Sequence, residues 1–236
     1  MKVKKKQRSI DFATVAILAV CAILVIGGVV LAIINPGANS PTNKTDNSND
    51  DPIKDISTEV KYNPPALDED KTYFADIVVK DYGKITVKLD QKSAPITAAN
   101  FVDLAKKGFY NNLTFHRIIE DFMMQGGDPN DNGTGGSENS ILGEFSANGV
   151  NNPLKHTRGT ISMGRRGNDY NSASSQFFIV HKDYPSLNGK YAAFGNVTEG
   201  MDVVDAICKD AKPSDDNGTI PQKMQPVIES ITIREE

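Results

Sequence analysis

Hydrophobic and polar positions divide this chain into three textures. Residues 12–34, FATVAILAVCAILVIGGVVLAII, run for 23 positions without a charge. At about 1.5 Å per residue a helix of that length reaches roughly 34 Å, enough for a bilayer core of about 30 Å. The pattern predicts one N-terminal transmembrane helix, kept as a signal anchor. A cleaved leader has a shorter apolar part, about 7–15 residues. Leu18-Ala19-Val20-Cys21 is also a poor lipoprotein cleavage site, because Val20 is bulky and the apolar run continues for 13 residues past Cys21. The second texture, NPGANSPTNKTDNSNDDP at 35–52, holds one aliphatic residue, Ala38, and no aromatic one. It cannot bury enough apolar surface to offset its ordering entropy, so a flexible polar linker is expected over residues 35–70. Ile53, Ile56, Val60, Tyr62 and Pro64-Pro65 leave two arrangements open for its second half, loose packing on the domain or extended chain.

In the third texture, residues 71–236, apolar and polar positions alternate in short runs. YFADIVVK and KITVKL read as strands about an Asp81-Tyr82-Gly83 turn. Ala94-Pro95-Ile96 opens a helical pattern that puts Ala98, Phe101, Val102, Leu104 and Ala105 on one face. Lys106-Lys107-Gly108 supplies a basic last turn and a stopping glycine. Thr160–Met163, Gln176–His181, Ala192–Val197 and Val227–Arg234 read as further strands, with a short helix around Met201–Cys208. Many short strands and two helices predict a mostly β domain, a closed antiparallel barrel capped by the helices.

Charge adds an orientation. Five of the 26 Lys and Arg sit in the first eight residues, MKVKKKQR, and Asp11 is the one acid before the apolar run ends. Basic residues favour the cytoplasmic side, so residues 1–11 are expected in the cytoplasm and the domain outside the cell membrane. From residue 35 onward 21 basic residues face 29 acids, a net of −8. An acidic body argues against a nucleic-acid partner, which would need a basic face. Of the two cysteines, Cys21 lies within the expected anchor and Cys208 in the domain, so no disulfide framework is expected. Nothing demands more than a monomer.

Several chemistries lack their residues. There is no His-Glu-x-x-His for zinc, and Gly189-Lys190 has no glycine five residues before Gly189 to make a phosphate loop. Gly135-Gly136-Ser137-Glu138-Asn139 ends in Asn where a nucleophile elbow needs Gly. Asp128-Pro129-Asn130-Asp131-Asn132-Gly133 matches the first half of a calcium loop, but Asn139 stands where the bidentate Glu belongs, so it reads as a Gly/Asn-rich surface loop. His116, His156 and His181 sit in unrelated contexts. No metal and no cofactor is expected, and His116 reads as a structural, hydrogen-bonding residue.

The stretch FHRIIEDFMMQGGD, residues 115–128, is different in kind. Read as a hairpin of Leu113–Ile119 and Phe122–Gly126, it sends Ile118 and Met124 to the core by strict alternation. Arg117 then faces the other way, with Met123 and Gln125 at matching parity on the partner strand. A guanidinium beside a thioether, an aromatic ring and an amide makes an apolar hollow with one strong donor at its rim.

FHRIIEDFMMQGGD is followed in order by GTGG (133–136), HTRGTISM (156–163), SSQFFI (174–179), LNGKYAAFG (187–195) and EGMDVVD (199–205). This ordered set, spread over roughly residues 73–234, resembles the cyclophilins, peptidyl-prolyl cis/trans isomerases, with a bacterial look. The resemblance implies an eight-stranded antiparallel barrel capped by two helices, and proline-containing unfolded or newly translocated chains as partners. It implies Arg117 as the catalytic residue. Phe122, Met123, Phe178 and Leu187 would form the proline pocket, Tyr191 would help close it, and Gln125 and Gln176 would bond the substrate backbone. Ser186 stands where many members carry Trp, which implies weak cyclosporin binding. Gly164-Arg165 replaces the common Ala-Asn, so contacts from that loop are not transferable. The alternative from another class is a proline-binding chaperone or scaffold with little turnover.

Overall fold

The computed structural model describes Val60 and residues 62–236. The expected anchor and most of the linker lie outside the described residues, among which no helix is long and apolar enough to cross a membrane. The end of the linker is not free chain. Tyr62 and Leu67 pack on the domain core, and the Tyr62 hydroxyl donates to Asp103 at 3.3 Å.

Eight strands and two helices follow the order β1 (Tyr73–Val79), β2 (Gly83–Leu89), α1 (Pro95–Lys106), β3 (Phe115–Ile119), β4 (Met123–Gly126), β5 (Thr160–Met163), β6 (Phe177–Val180), β7 (Ala193–Glu199), α2 (Met201–Asp210) and β8 (Ile228–Glu235). All pairings are antiparallel, in the order β3-β4-β6-β5-β7-β2-β1-β8. Along β1, Tyr73, Ala75, Ile77 and Val79 are buried while the residues between them are not, the alternation of a sheet with one wet face. The sheet rolls into a half-barrel around a core centred on α1, where Phe101 meets the rings of Tyr110, Phe177 and Phe194 at 5.2–5.4 Å. The expected apolar face of α1 is buried, and so are Thr97, Ala99 and Asn100. Asn100 can be buried because its amide donates to the Ser174 carbonyl at 2.6 Å.

Ladder closure stops short of the full barrel. β3 and β8 do not pair strand to strand; the free edge of β3 is covered by the chain between α2 and β8. Ile118 N–H bonds the Gly218 carbonyl and Phe115 N–H the Pro226 carbonyl, each at 2.9 Å, and isolated bridges join Thr114 to Val227 and Arg117 to Thr219. Covering the edge satisfies its backbone groups as a ladder would. It also brings residues 217–219 beside β3, which matters for the site.

The hairpin ends in Gly126-Gly127 for steric reasons. A Cβ on Gly126 would lie 2.6 Å from the Thr114 carbonyl oxygen; Gly127 has φ +80° and would meet Ser175 O at 2.7 Å.

One long-range cap locks the helix to the sheet loops. Ala94, before α1, has no capping side chain. Glu144, buried, reaches in from the β4–β5 connection: its carboxylate accepts the N–H groups of Ile96 (3.0 Å) and Thr97 (2.7 Å) and the Thr97 hydroxyl (2.6 Å). A carboxylate at the positive end of a helix meets both the orphan N–H groups and the macrodipole. Replacing it by alanine leaves buried donors unsatisfied, so Glu144→Ala is expected to cost about 2–3 kcal/mol. Denaturant unfolding of the variant checks this; a loss under about 0.5 kcal/mol would place the helix's stability elsewhere.

Candidate active site

Strand register assembles the site. Arg117 of β3 stands opposite Gln125 of β4, Gln125 opposite Phe178 of β6, and Phe178 opposite Ser162 of β5. These side chains form one row across the outer face, and the next row holds Ile119, Met123 and Val180. Met124, one residue from Met123, points into the main core, as the expected alternation requires. On the outer face Met123, Phe178 and Val180 form a second apolar cluster, joined by half-buried Ile119, Phe122, Leu187 and Tyr191. All eight residues singled out from the sequence come together here: Arg117, Phe122, Met123, Gln125, Gln176, Phe178, Leu187 and Tyr191.

Arg117 is half-buried at the edge of this hollow. Nε donates to the Asn217 carbonyl at 2.7 Å. Nη1 makes only long contacts, 3.4 Å to Gln125 Oε1 and 3.8 Å to the Met123 sulfur, and the guanidinium carbon lies 5.8 Å from the centre of the Phe122 ring. Nη2 has no hydrogen-bond partner among the described residues. Burial lowers the arginine's pKa, with Tyr191 and Asp215 acting the other way. A guanidinium stays cationic through such shifts, so the hollow has a charged rim with donors to spare.

The two glutamines form a fixed chain. Gln125 Nε2 donates to Gln176 Oε1 at 2.8 Å, and Gln176 Nε2 donates to the carbonyls of Gly135 (2.7 Å) and Gly133 (3.1 Å). The loop presenting those carbonyls lies at the surface, as expected, with residues 129–133 largely exposed, and it is built around Asp128. Asp128 is fully buried and accepts the N–H groups of Asn130, Asn132 and Gly133. Burial pushes its pKa up, but these amides outweigh it and hold the carboxyl below its ordinary value. The Asp128 oxygens, which a calcium loop would turn to a cation, face the loop's own backbone.

One histidine departs from its expected role, and another has a role the sequence did not assign. His116 is buried, yet neither ring nitrogen has a hydrogen-bond partner among the described residues; burial lowers its pKa, with Asp128 and Asp131 acting the other way. It is therefore a packed ring rather than a hydrogen-bonding one. His156, unassigned from sequence, stacks on Phe178 (6.0 Å, 19°). Its ring nitrogens reach Ser162 Oγ at 3.0 Å and Asn188 Oδ1 at 3.2 Å. It thus ties the loop carrying Leu187 and Tyr191 to β5.

Sequence reasoning also missed Asn217 and Tyr184. Asn217-Gly218 marks a turn, but nothing local says which side chain its carbonyl will meet 100 residues away. The Tyr184 ring lies 4.3 Å from that of Phe122 and is 40% exposed, extending the apolar surface beside Ser186, which is itself exposed. A separate cavity of about 470 Å³ opens near Lys71, Lys88 and Asn196 and shares no residue with the hollow.

Comparison with known proteins agrees with this geometry. Residues 74–233 match the family model described as cyclophilin type peptidyl-prolyl cis-trans isomerase/CLD. A peptidyl-prolyl cis-trans isomerase of Helicobacter pylori (strain J99) is 46% identical over 139 residues, 58% of this chain and 82% of that protein. Peptidyl-prolyl cis-trans isomerase B of Bacillus subtilis is 45% identical over 125 residues, 53% of this chain and 83% of that protein. Among solved structures, a cyclophilin type peptidyl-prolyl cis-trans isomerase of Cryptosporidium parvum, crystallised in the presence of the dipeptide Ala-Pro, superposes with a TM-score of 0.60. It is 30% identical, covering 69% of this chain and 99% of that one. A family match that spans both the rolled sheet and the Arg117 hollow places the chain among the cyclophilin-type peptidyl-prolyl cis-trans isomerases.

Proposed function

We propose that this enzyme isomerises X-Pro bonds with Arg117 as its catalytic donor, on polypeptides outside the cell membrane, to which residues 12–34 tether it. The observation that carries the catalytic reading is the guanidinium with unspent Nη donors at the rim of the outer apolar cluster. The Cryptosporidium relative's Ala-Pro dipeptide gives the ligand class. The prolyl ring would lie on Met123, Phe178, Leu187 and Tyr191, bordered by Phe122. Gln125 and Gln176 would face the peptide backbone.

The chemistry needs little else. An X-Pro bond exchanges over tens to hundreds of seconds behind a barrier of about 18–20 kcal/mol. In the twisted transition state amide conjugation is lost and the prolyl nitrogen regains a lone pair. A guanidinium donating to that nitrogen binds the twisted form better than either planar one, and that difference is the catalysis. Going from about 0.01 to about 10 per second takes only about 4 kcal/mol. One charge-assisted hydrogen bond, worth about 1.5–3 kcal/mol, supplies much of it.

Arg117→Ala is expected to lower kcat/KM about 10- to 100-fold, and Arg117→Lys not to restore it, because lysine lacks the fork that bonds Asn217 with one nitrogen and keeps others free. Cis/trans exchange of an Ala-Pro peptide, followed by NMR with the full chain, checks both. Rates unchanged in Arg117→Ala would remove it from the catalytic role. Peptide binding without acceleration by the wild type would favour a proline-binding module.

The membrane reading predicts that the full-length protein sediments with membranes and that added protease reaches its domain from outside. A soluble product whose N-terminus maps after residue 34 would overturn it.

Exposed Ser186 supplies no indole, so cyclosporin affinity is expected to rise in Ser186→Trp by about tenfold or more. Titration of the two proteins decides, and equal constants would refute the idea.

A further inference from the structure

Arg165 lies two residues beyond β5, next to Gly164, whose N–H bonds the Gln176 carbonyl at 2.9 Å. Its half-buried side chain does two things at once. Nε donates to the Lys190 carbonyl at 2.9 Å, and Nη1 donates to those of Arg166 (2.8 Å) and Gly167 (3.1 Å). The guanidinium carbon also lies 4.7 Å from the ring centre of Tyr191, 4.9 Å from that of Tyr170 and 5.3 Å from that of Phe145. All three distances fall within the roughly 6 Å of a cation–π contact. Phe145 is buried and directly follows Glu144, so the cap on α1 anchors this floor.

The Lys190 carbonyl belongs to the peptide bond that enters Tyr191. Arg165 therefore holds both the backbone leading into Tyr191 and the face of its ring. The other rings beside Tyr191 are Phe178 (5.9 Å, 84°) and His156 (6.4 Å, 77°), on the side of the hollow. We propose that Arg165 is a positioning residue for the isomerase, fixing Tyr191 as a wall of the proline pocket without itself touching the peptide. The inference rests on reading the Phe178–Tyr191 hollow as that pocket.

A wall free to swing away weakens binding of the planar and twisted peptide alike. That raises KM and leaves the donation from Arg117, and hence kcat, largely intact. A merely structural arginine would show no such split. Lysine at 165 keeps a cation among the rings but lacks the planar fork for the carbonyls, so it rescues in part.

The test is kcat and KM for an Ala-Pro peptide with the full chain, comparing wild type, Arg165→Ala, Arg165→Lys, Tyr191→Ala and the double variant. Arg165→Ala is expected to raise KM about fivefold with kcat within about twofold, and to add less than about twofold once Tyr191 is alanine. Arg165→Lys should raise KM about two- to threefold, again only when Tyr191 is present, and it carries the same test if the alanine variant does not fold. An equal rise in both backgrounds, or no rise in either, overturns the proposal and leaves the pocket reading standing. A wild-type KM in Tyr191→Ala overturns the pocket reading, and the role of Arg165 with it.

Discussion

The site depends on holding a guanidinium at an apolar surface without consuming it. An arginine moved out of water needs partners, and a desolvated charge with too few is costly. An arginine bonded on every edge would have nothing left for a substrate. Here one strong bond, from Nε to the Asn217 carbonyl, orients the group while the Nη edges keep only long contacts. That bond exists because the chain after α2, rather than a β3–β8 ladder, covers the edge of β3. The seam in the fold is thus what supplies Arg117, the donor in the proposed mechanism, with its anchor.

From that point support passes outward through neutral groups. Gln125 faces Arg117, Gln176 holds Gln125, and the Gly133 and Gly135 carbonyls hold Gln176. Asp128, buried and negative, organises those carbonyls by collecting the loop's N–H groups on its far side. A carboxylate is present, but its charge is spent on backbone amides rather than on Arg117. On the other flank His156 and Glu144 do comparable work for the aromatic wall, through bonds that join His156 to Ser162 and Asn188 and Glu144 to the start of α1.

What the sequence made legible was what local rules control. Alternation in FHRIIEDFMMQGGD put Arg117, Met123 and Gln125 on one face and Ile118 and Met124 on the other, because strand pleating has a period of two. Pro95 and Gly108 bracketed α1 for equally local reasons. What stayed hidden depends on contacts between remote segments: Asn217 with Arg117, Glu144 with the start of α1, the cover over β3, and the packing of Tyr62. His116 misled for a related reason. Residue type suggests hydrogen bonding, but only the tertiary environment decides whether partners are there.

This division explains why the residues proposed to touch a peptide are easier to find than those proposed to aim them. Isomerisation asks for only about 4 kcal/mol of transition-state preference, and no bond to the enzyme forms or breaks. So small a preference, carried by one donor and an apolar floor, is lost to displacements of an ångström or less, because misplacement erodes directional interactions steeply. Rigidity is then a chemical requirement, and it has to come from outside the contact surface. The guanidinium of Arg165, set among three rings and three carbonyls, is the kind of group this requirement selects. Arg117 holds a cation with donors spare and Arg165 one with its Nε and Nη1 donors engaged. On the proposed roles the same side chain serves reaction in the first case and geometry in the second, and the difference lies in how many of its hydrogens the protein has already claimed.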